Sequence, residues 1–205
     1  DTGEVTVLIM AGGTGGHVYP ALAVAQQLRE AGNHVVWMGV RHGLEAEVVS
    51  ASGIELHFVS VSGLRRNGVS PWLLAPFRLL RALLQALGVV WKIKPRVVLG
   101  MGGFASGPGG VAAWLLRRPL LIHEQNAAPG LTNRLLSKIA TVVLESFPES
   151  FPSRSKAVCT GNPVRVEILD IEAPQTRLLG RNGPLRLLVL GGSLGAQRLN
   201  EVVPE

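Results

Sequence analysis

Residues 5–20 read VTVLIMAGGTGGHVYP, an apolar run followed by a turn rich in glycine and then by His17. Glycine in a helix or strand lowers stability by roughly 0.5–1 kcal/mol relative to alanine. A cluster of four glycines therefore indicates that this turn requires them. A helix that begins at such a turn presents unpaired backbone N–H groups, and glycine lets an anion approach them closely. The stretch therefore predicts a buried strand, an anion-binding turn and a helix, with His17 at the mouth of the turn.

Two further turns share this pattern, VLGMGGFASGPG at 98–109 and LVLGGSLGA at 188–196. Each follows an apolar run and leads into a helical pattern, and Ser106 and Ser193 add hydroxyl donors. The sequence between the turns does not repeat. The pattern therefore indicates several phosphate-binding turns rather than an internal duplication.

Short apolar runs alternate with longer helical patterns along the chain. The predicted strands are 5–10, 34–40, 54–61, 96–100, 119–123, 140–144 and 157–160. The predicted helices lie near 18–31, 44–51, 72–93, 109–117 and 130–138. Runs such as RVVLG and PLLIH are apolar at every position, which is typical of strands buried on both faces of a parallel sheet. The fold class is therefore α/β, a doubly wound parallel sheet.

The residue composition of the sequence changes after Thr160. Gly161-Asn162-Pro163 interrupts the chain, residues 170–184 are polar, and a new apolar run spans Leu185–Leu190. One strand and one helical turn cannot bury a core. We expect an N-terminal domain at 1–161, followed at 162–205 by a linker and the incomplete beginning of a second α/β domain.

Composition and charge narrow the class of protein. The chain has 205 residues, 47% hydrophobic and 17% charged, with a net charge of +6, which indicates a folded globular protein. No Asp or Glu occurs between Leu56 and His123, although nine Arg and Lys residues do. Such a surface suits a phosphorylated substrate, an anionic lipid surface or nucleic acid. Nucleic acid is disfavoured as a partner, because aromatic residues are scarce and no recognition module is visible.

The number of cysteines indicates the redox state of the cellular compartment. Cys159 is the single cysteine, so no internal disulfide can form, and we expect a cytoplasmic or otherwise reducing setting. We also expect Cys159 to be a small buried apolar residue. The apolar stretch at 5–11 is too short for a signal peptide or a membrane helix, and we expect no transmembrane segment.

Two other nucleotide-binding motifs fit these turns poorly. None carries the lysine of a nucleoside-triphosphate P-loop. Gly100-x-Gly102-x-x-Ala105, with Glu124 further along, approaches a dinucleotide fingerprint. That motif belongs to a first strand, whereas this turn follows the fourth, and the first turn has Val18 where a third glycine is needed. A nicotinamide oxidoreductase stays a remote alternative.

Five blocks together closely resemble the MurG family of bacterial peptidoglycan glycosyltransferases: GGTGGHVYPALAVAQQL, GMGGFASGPGGVAAWL, HEQNAAPGLTNRLL, TGNPVR and GGSLGAQRLN. They are in family order and span residues 5–203. The resemblance implies a two-domain GT-B fold and inverting, metal-independent transfer without a cofactor. It further implies transfer of N-acetylglucosamine from UDP-N-acetylglucosamine to lipid I, with nearly half of the enzyme absent from this sequence.

An inverting transfer needs a base to accept the proton of the acceptor hydroxyl and groups that stabilise the departing diphosphate. His17 is the first candidate base, because an imidazole exchanges protons near neutral pH. Glu124 is the second, although a carboxylate there could equally orient His17 or a loop amide. Helix capping or a hydrogen bond to a carbonyl is the alternative role for His17.

The resemblance also implies binding residues. Those implied for the UDP-sugar donor are Thr14, Gly15, Gly16, Asn126, Arg165 and Ser193. Those implied for the acceptor diphosphate are Gly102, Gly103, Phe104, Ser106 and Gly107. Arg165 can form two parallel hydrogen bonds to a phosphate, which suits the donor diphosphate.

Residues 64–93 combine apolar bulk with arginine. We predict a helix with Arg78, Arg81, Gln85 and Lys92 on one stripe. Beside Arg65 and Arg66 we predict an interfacial patch of apolar residues: Leu64, Val69, Trp72, Leu73, Leu74 and Phe77. Basic and apolar residues in this arrangement favour peripheral attachment to the anionic cytoplasmic face of a bacterial inner membrane. The alternative for this segment is packing in the core.

Two alternatives stay open for the function of the whole chain. It is either a fragment that binds the acceptor or a membrane without activity, or a glycosyltransferase that uses another lipid acceptor.

Overall fold

A computed structural model of the protein describes residues 4–61, 75–191 and 197–203. The chain divides into two compact units, Asp1–Arg165 and Val166–Glu205.

The first unit contains one seven-stranded sheet. Its strands are β1 Thr6–Met10, β2 His34–Gly39, β3 Glu55–Phe58, β4 Val97–Gly100, β5 Leu120–Glu124, β6 Val142–Glu145 and β7 Val158–Cys159. All neighbouring strands are parallel, in the order β3-β2-β1-β4-β5-β6-β7. The prediction of a doubly wound parallel sheet is confirmed.

Among the described residues of this unit, five helices follow strands. They are α1 Gly15–Glu30, α2 Leu44–Ala51, α3 Ala75–Ile93, α4 Ser106–Leu115 and α5 Leu131–Leu136. Successive side chains of a strand point to opposite faces of the sheet. Leu8 and Met10 accordingly join a core that includes residues of α3, α4 and α5, whereas Val7 and Ile9 join a core that includes residues of α1 and α2. Both faces of β1 are covered, which is why its sequence is apolar at nearly every position.

The strand order reverses direction next to β1. Strand β1 pairs with β2 on one side and with β4 on the other. After β1 the chain continues to β2, whereas after β4 it continues in the opposite direction, to β5. At the carboxyl ends of β1 and β4, Met10 lies opposite Gly100. Ligands of open α/β sheets bind in the crevice at such a switch point. The first two glycine turns emerge side by side there.

Helix α3 buries small residues and exposes large ones. Its buried positions are Ala75, Ala82, Ala86 and Val90. Its exposed apolar positions include Phe77 (71%), Leu80 (54%), Leu84 (60%) and Trp91 (69%). The predicted helix over 72–93 is therefore found from residue 75 onward, and it presents an apolar face as well as a basic one. Of the predicted interfacial patch, Phe77 lies on this apolar face and the other members lie outside the described residues. No helix within the described ranges is long and apolar enough to cross a membrane.

Strand β7 is a two-residue edge strand, and both of its residues are exposed. Cys159 therefore lies at the surface, with its Sγ 3.7 Å from the carbonyl oxygen of Ser146. The expectation that Cys159 is buried is wrong, because the sheet ends at this strand and no described residue of the first unit covers it.

The second unit contains the short helices α6 Val166–Leu169, α7 Pro174–Arg177 and α8 Gln197–Val202. The predicted strand Leu185–Leu190 is not formed, and Leu185 and Leu190 are 94% and 76% exposed. An isolated strand leaves its N–H and C=O groups without partners, and the described part of this unit offers no neighbouring strand. The division of the chain into domains at 161/162 stays a prediction.

Candidate functional site

The first two glycine turns pack directly against each other. Gly102 and Gly103 have φ values of +100° and +86°, in the left-handed region that favours glycine. A methyl group at Gly102 would lie 2.7 Å from Nδ1 of His17, and one at Gly103 would collide with the backbone oxygen of Gly12. Glycine is needed at these two positions so that the second turn and the imidazole can share one crevice.

Gly13, in contrast, borders open space. Its φ is +94°, and no atom lies within 4 Å of the position that a side chain would take. Glu45, which is fully buried in α2, fixes this turn: its Oε2 accepts from the N–H of Gly13 at 3.2 Å and its Oε1 from that of Val40 at 2.9 Å. Sequence reasoning missed Glu45, although an acid in the first turn of a helix is a recognisable signal.

The start of α1 lies at this open turn. Thr14 is the residue that precedes the helix, in an extended conformation, and its hydroxyl makes no capping hydrogen bond. Gly15 and Gly16 are the first two helical residues, whose N–H groups have no partner within an α-helix. Their N–H groups and the Thr14 hydroxyl form an arrangement that can accept an anion.

His17 is held by a residue far away in the sequence. Its Nδ1 lies 2.8 Å from Oε1 of Gln125, which follows β5 directly. The Nε2 atom of Gln125 lies 3.1 Å from the carbonyl oxygen of His123 and 3.0 Å from Nδ1 of His123. A carbonyl oxygen only accepts, so Nε2 of Gln125 is the donor and its Oε1 is the atom that faces His17.

This orientation of the amide decides the proton positions on both imidazoles. Since Oε1 of Gln125 only accepts, Nδ1 of His17 carries the proton and Nε2 of His17 keeps its lone pair. No described residue hydrogen-bonds Nε2 of His17. A half-buried imidazole with a free Nε2 lone pair can accept a proton from a hydroxyl group.

His123 supports the same chain of hydrogen bonds. Its Nδ1 accepts from Gln125, so its Nε2 carries the proton and donates to the carbonyl oxygen of Gly161 at 3.0 Å. Burial lowers the pKa of His123 below its usual value, although the Gly161 carbonyl and the Glu124 carboxylate oppose this shift. The neutral ring that the network requires is therefore also the form that burial favours.

Glu124 is enclosed by N–H donors. Its side chain is fully buried. Oε1 accepts from the backbone N–H and Nδ2 of Asn126, at 3.1 and 2.9 Å. Oε2 accepts from the N–H of Gly130 and Nδ2 of Asn133, at 3.1 and 2.9 Å. Of the two roles open from the sequence, this geometry favours the orientation of loop amides.

Two predicted donor-binding residues lie near the crevice. Asn126 is exposed and is anchored to Glu124 through its Nδ2, which leaves its Oδ1 without a partner among the described residues. The guanidinium of Arg165 lies over the ring of Tyr19, 5.2 Å from its centroid. Tyr19 is on the first turns of α1, so Arg165 is brought to the same end of α1 as Thr14.

In the second turn, the hydroxyl of Ser106 is hydrogen-bonded inside the fold. Ser106 is fully buried, and its Oγ lies 2.8 Å from the carbonyl oxygens of both Met10 and Gly102. Its single proton is directed at these backbone oxygens, which disfavours a hydroxyl contact to a diphosphate, and the acceptor-binding role of the second turn stays a prediction. Phe104 is 51% exposed, and Gly107 has open surroundings apart from Thr132 at 3.7 Å. Ser193 lies outside the described residues.

The fold and the switch-point crevice define an open, doubly wound α/β domain. The fold is shared with the Streptomyces glycosyltransferase SsfS6 at a TM-score of 0.53 and 19% identity, over 73% of this chain and 52% of that one. Residues 7–145 match the glycosyltransferase family 28 N-terminal domain, and the chain belongs to that family.

Two curated relatives and a second solved structure are much more similar to this chain than SsfS6 is. The chain is 59% identical to the UDP-N-acetylglucosamine--N-acetylmuramyl-(pentapeptide) pyrophosphoryl-undecaprenol N-acetylglucosamine transferase of Nitrosococcus oceani, over 98% of this chain and 56% of the relative. It is 63% identical to the enzyme of the same name from Alkalilimnicola ehrlichii, over 97% and 55%. The crystal structure of Acinetobacter baumannii MurG matches with a TM-score of 0.80 and 42% identity, over 98% and 56%. The chain thus spans just over half the length of these relatives.

Proposed function

We propose that this chain is the acceptor-side part of an inverting glycosyltransferase. The enzyme transfers N-acetylglucosamine from UDP-N-acetylglucosamine to the 4-hydroxyl of undecaprenyl-diphospho-N-acetylmuramoyl-pentapeptide, lipid I, and forms lipid II for peptidoglycan synthesis. The observation that carries the proposal is the free Nε2 of His17 at the crevice of a chain 59% identical to a transferase of that name.

In the proposed reaction, His17 is the general base. Its Nε2 accepts the proton of the acceptor 4-hydroxyl as that oxygen bonds to the anomeric carbon of the donor sugar. The bond from this carbon to the diphosphate oxygen breaks at the same time, so UDP leaves with the electron pair and the configuration inverts. Gln125 is a positioning residue, because it holds Nδ1 of His17 in the protonated form.

The donor diphosphate develops negative charge as it leaves. The Thr14 hydroxyl, the N–H groups of Gly15 and Gly16 and the guanidinium of Arg165 are proposed to stabilise this charge. The donor-binding role of Ser193 stays a prediction. Oδ1 of Asn126 is proposed to accept from a hydroxyl or amide of the donor. Glu124 holds Asn126 in place, which is a positioning role rather than that of a base.

On the acceptor side, Gly102 and Gly103 bring the second turn against His17, and Phe104 and Gly107 offer the accessible surface for the acceptor. Ser106 contributes by closing the turn on Met10.

Attachment to a membrane is proposed for the apolar face of α3. Phe77, Leu80 and Leu84 are more than half exposed, and an apolar cavity of about 310 Å³ lies alongside, between α3, α4 and α5. This face is suited to the cytoplasmic surface of a bacterial inner membrane, where a polyprenyl-linked acceptor is found. Leu80→Ser with Leu84→Ser should abolish sedimentation with anionic vesicles, whereas Leu178→Ser in the second unit should not. Equal sedimentation of both variants contradicts the attachment proposal.

Sugar transfer tests the function directly. A full-length protein that carries this chain should convert a soluble short-prenyl analogue of lipid I and UDP-N-acetylglucosamine to the disaccharide product, and the 205-residue chain alone should bind acceptor without turnover. Failure of the full-length protein, with a diacylglycerol acceptor converted instead, would support a transferase for another lipid.

A further inference from the structure

A large cavity lies beside the crevice, at the carboxyl ends of β2 and β3. Its volume is about 710 Å³, within the range of ligand-binding cavities. It borders Gly13 of the first glycine turn and Phe104 of the second, so it is continuous with the surface around His17. None of the residues proposed above to contact the donor lines it.

Three arginines line the cavity. Arg41 follows β2, and Arg78 and Arg81 lie one turn apart on α3. Arg41 lies over the ring of Phe58, 5.2 Å from its centroid. No carboxylate of the described residues forms an ion pair with any of the three arginines. Clustered arginines are normally paired with carboxylate or phosphate groups that neutralise their charge. This cluster therefore points to an anionic ligand.

The walls of the cavity are fixed by hydrogen bonds. Gln85, one turn after Arg81 on α3, accepts from the backbone N–H of Ser60 at 2.7 Å and donates to its hydroxyl at 3.3 Å. This pair joins α3 to the segment after β3. On the opposite wall Glu45 holds both Gly13 and Val40, and its carboxylate is fully buried with both oxygens bonded. The arginines therefore extend from elements whose relative positions are set.

We propose that this cavity binds an oxyanion of the sugar acceptor, a phosphate or carboxylate group, through Arg41, Arg78 and Arg81. The inference rests on the proposed function, because the acceptor carries both a diphosphate and a peptide. It also moves the recognition of acceptor charge away from the second glycine turn. There Ser106 is engaged internally, and Gly102 and Gly103 are packed against His17 and Gly12.

Guanidinium groups suit this task better than the turn does. Each can donate two parallel hydrogen bonds to a phosphate or carboxylate, and all stay charged at any physiological pH. Since Arg78 and Arg81 are exposed, their attraction to an anion is partly screened by salt. The cavity should therefore contribute to acceptor affinity in a salt-dependent manner and leave the bond-breaking step unchanged.

The test measures steady-state kinetics of the full-length enzyme with two acceptors, a short-prenyl analogue of lipid I and the same analogue without its peptide. Arg78→Gln and Arg81→Gln should each raise the acceptor KM about 3- to 30-fold, with a smaller effect at high salt. The donor KM should not change. Lys92→Gln is the matched control, because Lys92 is an exposed cation on the same helix outside the cavity.

The two acceptors identify the group that is bound. A KM penalty that persists without the peptide assigns the diphosphate, and one that disappears assigns the peptide carboxylates. Equal KM values for wild type, both arginine variants and Lys92→Gln with both acceptors overturn the inference. If the wild type transfers no sugar, the proposed function fails, and calorimetry with inorganic pyrophosphate then decides: weaker binding by Arg81→Gln supports the cavity, and unchanged binding overturns it.

Discussion

Nδ1 of His17 and Oε1 of Gln125 lie 2.8 Å apart, although 108 residues separate them in the chain. The strand order brings them together, because β1 and β5 flank β4 and their carboxyl ends meet at one edge of the sheet. This hydrogen bond leaves Nε2 as the basic atom of His17, so the network behind the imidazole determines what the imidazole can do.

Removing the Gln125 amide should impair catalysis more than binding. Gln125→Met fills the same space without an acceptor for Nδ1–H, so the ring of His17 is free to take the other tautomer or another orientation. We expect kcat of the full-length enzyme to fall about 10- to 100-fold, as for other residues that orient a reacting imidazole, with both KM values nearly unchanged. Gln27→Met on the exposed side of α1 is the control. Equal kcat values for the two variants would show that the hydrogen bond is not used.

Glu124 should matter for stability. Glu124→Gln replaces one carboxylate oxygen by an NH2 group on a fully buried side chain, so the two N–H donors that bond to that oxygen lose their acceptor. We expect the free energy of unfolding to fall by roughly 2–4 kcal/mol in urea titrations. The exposed residue Glu149 provides the control, since Glu149→Gln should change stability by less than about 0.5 kcal/mol. Unchanged stability with a large loss of kcat would return Glu124 to the role of base.

His123 should make folding sensitive to acid. Burial lowers its pKa in the folded protein, so the unfolded chain binds the proton first as the pH falls. Stability is then complete above the unfolded value, about pH 6.5, and declines below it by at most about 1.4 kcal/mol per pH unit from this group, down to the folded pKa. His123→Gln, which keeps a donor for Gly161, should flatten the pH dependence of unfolding between pH 5 and 7, in the range set by the usual histidine value. His34→Gln, at an exposed position, should leave it unchanged. The same slope in all three proteins contradicts this account.

The glycines of the second turn should differ sharply in tolerance. Gly103→Ala combines a φ of +86° with a collision against the backbone of Gly12, and should lower stability by roughly 2–4 kcal/mol. Gly107→Ala lies in the first turn of α4, where the nearest atom is 3.7 Å away, and should be neutral or slightly stabilising because alanine favours helix. Similar thermal unfolding of the two variants would mean that the two turns are not packed as described.

The sheet could be predicted because each of its buried strands is visible in the local sequence as an apolar run. Continuous apolar runs arise where alternate residues enter two different cores, as Leu8 and Ile9 do. Leu185–Leu190 has the same composition but no neighbouring strand in the described part of its unit, and composition alone does not reveal whether a partner exists.

The candidate site was only partly predictable for a similar reason. The position of His17 followed from the strand, turn and helix pattern. The bonds of Ser106 to Met10, of Glu45 to Gly13 and of Gln125 to His17 depend on which turns become neighbours in the folded sheet. Only the strand order supplies that information.

His17→Ala in the full-length enzyme tests the central claim most directly, with UDP-N-acetylglucosamine and the short-prenyl analogue of lipid I as substrates. If Nε2 of His17 accepts the proton of the acceptor hydroxyl, kcat should fall by roughly two to four orders of magnitude while the thermal unfolding midpoint stays close to that of the wild type. A loss of kcat smaller than about tenfold in a folded variant would contradict the role of His17 as the base.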